Sequence, residues 1–120
     1  MSTHLSTFKN STALITGASS GIGKAYAQEL ASLGIHLILT ARSEQKLNDL
    51  ADELSKKYNV NVEVIVLDLA QPHSAQSLFD EVQARNLSVE ILINNAGFGK
   101  WTKFLDQSVS TYQEMITLNI

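Results

Sequence analysis

The sequence predicts an α/β fold, a parallel sheet wound with helices on both faces, and three observations point to it. Short apolar runs alternate with amphipathic stretches along the 120 residues. The runs themselves are nearly continuous, as in strands buried on both sides. A glycine-rich segment separates the first run from the first amphipathic stretch. Such alternation implies right-handed βαβ crossovers and a doubly wound sheet, here of about four strands with flanking helices.

Ala13-Leu14-Ile15-Thr16 reads as the first strand. In the helix that follows, Ile22, Tyr26, Leu30 and Leu33 form an apolar stripe, flanked by small Gly23, Ala27 and Ala31 at four-residue spacing. Gly34 is placed to end it as a left-handed cap. His36 to Thr40 is the second strand. Ser43 caps the next helix, where Leu47, Leu50, Ala51 and Leu54 share one face. Val62 to Leu67 is a valine-rich third strand. Gln71-Pro72 is expected to start a third helix, with proline at its first position and Ala75, Leu78, Phe79 and Val82 inward. Val89 to Ile93 is the fourth strand, ending in Asn94-Asn95-Ala96-Gly97.

A capping-box pattern, Ser110-Thr111-Tyr112-Gln113, predicts a last helix. On it Tyr112, Met115, Ile116 and Asn119 fall at i, i+3, i+4 and i+7, so Asn119 is expected on the apolar face, where a buried amide must find partners. This helix has no stop signal before Ile120, and the fourth strand would be an apolar edge. Both features suggest an N-terminal fragment, the other reading being a frayed helix closing a small domain. Residues 1–11 are expected to be a flexible N-terminus, and 12–120 one domain.

Composition narrows the function classes. With 44% hydrophobic and 18% charged residues the chain is an ordinary globular one. A net charge of −3 invites neither nucleic acid nor an anionic membrane. No apolar run approaches the ~18 residues of a membrane span, and Met1 to Asn10 are too polar for a secretory signal. The absence of cysteine excludes disulfides, thiolate metal sites and a cysteine nucleophile, and fits a cytoplasmic location. His4, His36 and His73 are scattered, so no metal is assigned.

Thr16-Gly17-Ala18-Ser19-Ser20-Gly21-Ile22-Gly23 lies between the first strand and first helix. Glycine there lets a backbone approach a ligand, and the helix N-terminus favours phosphate. A nucleoside-triphosphatase loop fails, because Ala18 stands where its first glycine belongs and Ala25 where Ser or Thr must follow Lys24. The glycine spacing is three-then-one, a variant of the common dinucleotide fingerprint.

Thr16-Gly17-x-x-x-Gly21-x-Gly23 resembles the cofactor loop of the short-chain dehydrogenase/reductase family, and Asn94-Asn95-Ala96-Gly97 resembles that family's second signature. The likeness spans Thr12 to Ile120, the first half of a family member, and implies a Rossmann-type sheet. It implies cofactor binding by Gly17, Ser19, Ser20, Gly21, Ile22 and Gly23, and by Asn95, Ala96 and Gly97, for which the other reading is a plain turn. It places Asp68 at the adenine edge with Leu69 beside it, although Asp68 reads equally as a helix-entry residue. It also implies an active-site role for Asn119 in a proton relay.

The second strand ends Leu39-Thr40-Ala41-Arg42, where NAD-binding folds carry an acid. Arg42, helped by Ser43, is expected to pair with the 2′-phosphate of NADP (NADPH), the other reading being a solvated arginine. The family's catalytic Ser and Tyr-x-x-x-Lys are not identifiable. Tyr26, Tyr58 and Tyr112 are followed four residues on by Leu30, Val62 and Ile116. The expectation is thus the cofactor-binding part of an NADP-dependent oxidoreductase that does not turn over alone. The alternative is a non-catalytic dinucleotide-binding module or regulatory subunit. The complete protein would act on a small carbonyl or alcohol and form a homo-oligomer.

Overall fold

The computed structural model describes residues 8–19 and 21–95, and the backbone of 116–119. Elements follow in the order β1 (Thr12–Thr16), α1 (Gly21–Ser32), β2 (His36–Ala41), α2 (Glu44–Tyr58), β3 (Val62–Val66), α3 (Ser74–Ala84), β4 (Ile91–Asn94) and β5 (Ile116–Asn119). All pairings are parallel, in the order β3-β2-β1-β4-β5. The chain therefore starts mid-sheet, winds outward through β2 and β3, and returns to pair β4 on the other side of β1.

Alternation within the strands divides the core. Ala13, Ile15, Leu37, Leu39, Ile91 and Ile93 face one way and pack with Ala27, Leu30 and Ala31 of α1 and Leu47, Leu50 and Leu54 of α2. Leu14, Ile38, Ile65 and Leu92 face the other way, against Ala75, Leu78 and Val82 of α3. The small residues of α1 and the leucines of α2 together cover this face of the sheet. Ile22 departs from the expected inward stripe: it is 54% exposed, while neighbouring Gly23 is buried. Close approach selects the small-residue ridge and turns the stripe's first member outward.

Local signals set the helix ends. Gly34, at φ 81°, closes α1 with paired bonds from its own N–H to Ala31 O and from Ile35 N–H to Leu30 O. This is the six-to-one and five-to-two pairing of a Schellman cap. Asn86, at φ 56°, ends α3 in the same way, with its own N–H bonded to Gln83 O and the Leu87 N–H bonded to Val82 O. Ser43 Oγ accepts the Lys46 N–H at 3.3 Å to open α2. Ahead of β1, Phe8 packs on the core and the Asn10 N–H donates to Gly34 O, so the folded unit already includes residues 8–11.

Three expectations give way to tertiary context. The third helix starts at Ser74 rather than at Pro72, behind a turn in which Gln71 N–H donates to Asp68 O. The turns closed by Gln71 N–H on Asp68 O and by Ser74 N–H on Gln71 O take the place of the expected first helical turn. β3 is an edge strand, and much of it is half-exposed rather than buried on both faces. Ile116–Asn119, expected on a helix, forms β5 along β4; residues 110–115, where that helix was to begin, lie outside the described residues. Ile-Thr-Leu-Asn contains two β-branched residues, and the unpaired N–H and C=O groups of β4 reward a strand more than a helix turn.

Leu30 is fully buried between α1 and the sheet. Leu30→Ala is expected to lower the unfolding free energy by about 2–5 kcal/mol through lost burial and a cavity. Urea denaturation measures this, and a loss under about 1 kcal/mol would mean that α1 does not pack on the sheet as described.

Candidate functional site

Because the strands are parallel, the turns that follow β1, β2, β3 and β4 meet at one edge of the sheet. The order reverses at β1, between β2 and β4, and the two outgoing chains leave a crevice there. Thr16, the last residue of β1, is fully buried. Its hydroxyl accepts the Asn95 N–H at 2.9 Å and donates toward Asn94 Oδ1 at 3.2 Å and Ile93 O at 3.4 Å. The Asn95 side-chain amide then donates to Gly17 O at 3.2 Å.

This contact dictates Gly23, whereas a left-handed backbone calls for glycine at 17 and 21. Gly17 has φ 64°, and Gly21 has φ 61° with open space around it. A Cβ on Gly23 would overlap the Gly17 carbonyl oxygen and stand 2.7 Å from Asn95 Nδ2. Helix α1 can start only with a bare Cα against the loop. It carries no acid in its first turn, so nothing local cancels the positive end of its dipole.

The loops enclose a cleft of about 800 Å³ whose wall includes the predicted Gly17, Ser19, Arg42, Asp68, Leu69 and Asn95. Ala41 and Ser43 line it beside Arg42, and Lys46, Leu67 and Ala70 are lining residues that the sequence reading did not single out. Gly21 lines a neighbouring groove of about 440 Å³ between α1 and α2, which also meets Ser19, Lys24 and Lys46. Ile22 is exposed at the helix start. Ser20, Ala96 and Gly97 lie outside the described residues. Asn119 is not on a helix: it ends β5 in register with Asn94, at the same edge of the sheet as the cleft. A signal for Lys46 was legible, since a lysine in the first turn of a helix has no support from the dipole.

Asp68 is held by its own turn. Its Oδ1 accepts the Ala70 N–H at 3.0 Å and its Oδ2 accepts the Gln71 amide at 3.3 Å. These two bonds, and after them the Arg42 charge, hold its carboxyl below the ordinary 3.8. The cleft has about 800 Å³ of space, includes the bare backbone of Gly17 in its wall, and carries two cations and one anion there. These residues fit a dinucleotide.

The family model described as short chain dehydrogenase matches residues 11–120. A very-long-chain 3-oxoacyl-CoA reductase from Lodderomyces elongisporus is 37% identical over 109 residues, 89% of this chain and 31% of that protein. An NADP-dependent 3-hydroxy acid dehydrogenase from Schizosaccharomyces pombe is 37% identical over 118 residues, 97% of this chain and 46% of that protein. The structure of L-sorbose reductase from Gluconobacter frateurii, complexed with NADPH and L-sorbose, superposes with a TM-score of 0.70 at 36% identity, over 78% of this chain and 35% of that one. The chain thus spans less than half the length of these relatives.

Two outcomes test the site. Alanine in a helix is ordinarily worth about 1 kcal/mol over glycine. At Gly23 the overlap with Gly17 O outweighs that gain, so Gly23→Ala is expected to lower stability by about 1–3 kcal/mol and weaken NADPH and NADH binding alike. Fluorescence titration of both nucleotides and urea denaturation read these effects, and a stabilised variant with intact binding would refute the close approach.

A carboxyl whose folded pKa lies below its unfolded value adds stability above that unfolded value and loses it as pH falls through the folded one. Asp68→Asn is therefore expected to be less stable than the parent at neutral pH, and the gap should close as pH drops from 3.8 downward. Urea midpoints across that range measure it, and a gap independent of pH would remove the charge of Asp68 from the account.

Proposed function

The chain belongs to the short-chain dehydrogenase family, and from that premise we propose that it is the NADP-binding part of an oxidoreductase that interconverts a carbonyl and an alcohol. The observation that carries this reading is the convergence of Gly17, Ser19, Arg42, Asp68 and Asn95 on one cleft at the reversal point of the sheet. Relatives described as reductases of 3-oxoacyl-CoA and of L-sorbose support the reaction class, and the NADPH in the latter's structure supports the cofactor.

Each assigned residue has a physical task. The bare loop at Gly17, Ser19, Ser20, Gly21 and Gly23 receives the pyrophosphate, whose charge the N-terminus of α1 favours. Ile22, exposed beside it, gives an apolar surface to the nicotinamide end. Asp68 and Leu69 border the adenine, Asp68 with its oxygens already turned toward its own loop. Asn95, on the cleft wall, is assigned to the ribose side, and the family resemblance of Asn94-Asn95-Ala96-Gly97 assigns Ala96 and Gly97 to it as well. When bound, the nicotinamide supplies or accepts the hydride. Asn119 is assigned to the proton relay, because β5 ends at the same edge as the cleft. The Ser and Tyr-x-x-x-Lys that polarise the substrate and move its proton are assigned to chain beyond Ile120.

Arg42 supplies cofactor choice. It follows β2 directly, where an acid would bind the ribose hydroxyls of NAD, and a guanidinium there pairs with a 2′-phosphate. In the full-length protein Arg42→Ala is expected to weaken NADPH binding roughly 10- to 100-fold, the worth of one or two charge-assisted hydrogen bonds, with NADH little changed. Nucleotide fluorescence titrations measure both constants, and equal losses for the two would remove Arg42 from this role.

A further inference from the structure

Arg42 is not alone at the adenosine end of the cleft. Lys46 also lines it, one turn into α2, and stands on the ridge that separates the cleft from the groove between α1 and α2. Its position in the helix is unusual. Counting from the Ser43 cap it is the third helical residue, where a glutamate or glutamine ordinarily completes a capping box and suits the dipole. The other lysines of α2 are engaged: Lys56 pairs with Asp52 at 3.0 Å, and Lys57 lies over the Tyr58 ring. The Lys46 ammonium is exposed and has no hydrogen-bond or ion-pair partner among the described residues.

Charge on the cleft wall decides what that ammonium is for. Its ionisable side chains are Arg42, Lys46 and Asp68. Asp68 and Arg42 already interact electrostatically. Without Lys46 the wall is neutral, a poor match to a phosphomonoester carrying about −1.5 to −2 at neutral pH. With Lys46 it has a net positive charge on the side of the cleft that carries Arg42. The Ser43 hydroxyl between them accepts the Lys46 N–H, which leaves its own proton free to donate.

We propose that Lys46 is a second determinant of NADP over NAD, supplying with Arg42 and the Ser43 hydroxyl the cationic excess that a ribose 2′-phosphate requires. The inference rests on the cofactor choice proposed above. It assigns the two cations different tasks. Arg42, fixed at the strand end, gives the directional fork, and Lys46, on a flexible stem, gives the compensating charge.

The test is the ratio of NADPH to NADH affinity in the full-length protein, read by nucleotide fluorescence. Lys46→Gln is expected to weaken NADPH roughly five- to tenfold, the range of one exposed charge-assisted contact, and to leave NADH within about twofold. Lys46→Arg should restore the parent ratio. Lys24→Gln, which removes a neighbouring lysine of the groove that does not line the cleft, should leave the ratio unchanged. Equal change for both nucleotides in Lys46→Gln, no change in either, or an equal shift of the ratio in Lys24→Gln would overturn the role of Lys46. Failure of the underlying reading looks different: the parent protein itself would then bind NADH as tightly as NADPH.

Discussion

Asn95 leaves the end of β4 and turns back on the loop after β1, its side-chain amide 3.2 Å from Gly17 O and its backbone N–H 2.9 Å from the Thr16 hydroxyl. Two stretches of chain far apart in sequence are thereby held almost in backbone contact. The start of α1 must fit into what is left, which admits Gly23 and nothing larger. The same contact sets the crevice between β1 and β4, so the phosphate-seeking end of α1 faces the opening. The glycine at position 23 and the seating of the α1 N-terminus both follow from this one close approach.

The two faces of the sheet solve different packing problems. On the first, α1 contributes the small residues Gly23, Ala27 and Ala31 with Leu30, and α2 contributes the leucines Leu47, Leu50 and Leu54. On the second, α3 alone contributes Ala75, Leu78 and Val82 to the described core. Among the described residues, the outer edge at β3 is met by a charged side chain rather than by another strand. Arg85, in the turn after α3, donates to Val64 O at 3.1 Å and meets Glu63 at 3.4 Å, occupying a backbone acceptor that could otherwise template pairing.

Electrostatics matters mainly where it is concentrated. The ion pair of Lys56 with Asp52 is largely open to solvent, that of Arg85 with Glu81 is partly so, and each is worth little individually. At the cleft the arrangement differs, because Asp68 spends its acceptor capacity on Ala70 and Gln71 instead of forming a direct pair with Arg42. The guanidinium keeps its donors for a ligand while the acid still borders the site. A cleft so arranged can discriminate by charge without a large buried-ion cost.

How much of this was legible beforehand depended on the range of the interaction involved. Wherever adjacent residues determine the outcome, the sequence by itself was enough. It specified the βα alternation, the Gly34 cap, the Ser43 cap, the inward leucines of α2, and the loops that carry Gly17, Arg42, Asp68 and Asn95. Those depend on periodicity, φ preferences and short-range hydrogen bonds, which operate within a few residues. The tertiary structure decided the rest. Ile22 faces outward because the sheet selects the smaller ridge of α1, and β3 is half-exposed where, among the described residues, no further strand pairs with its outer edge. Ile116–Asn119 extends along β4, despite a helical spacing, because an open strand edge offers backbone partners that no local pattern can encode. The place of Lys46 on the cleft wall depends on how α2 meets the loop after β3, and that is a property of the assembled sheet alone.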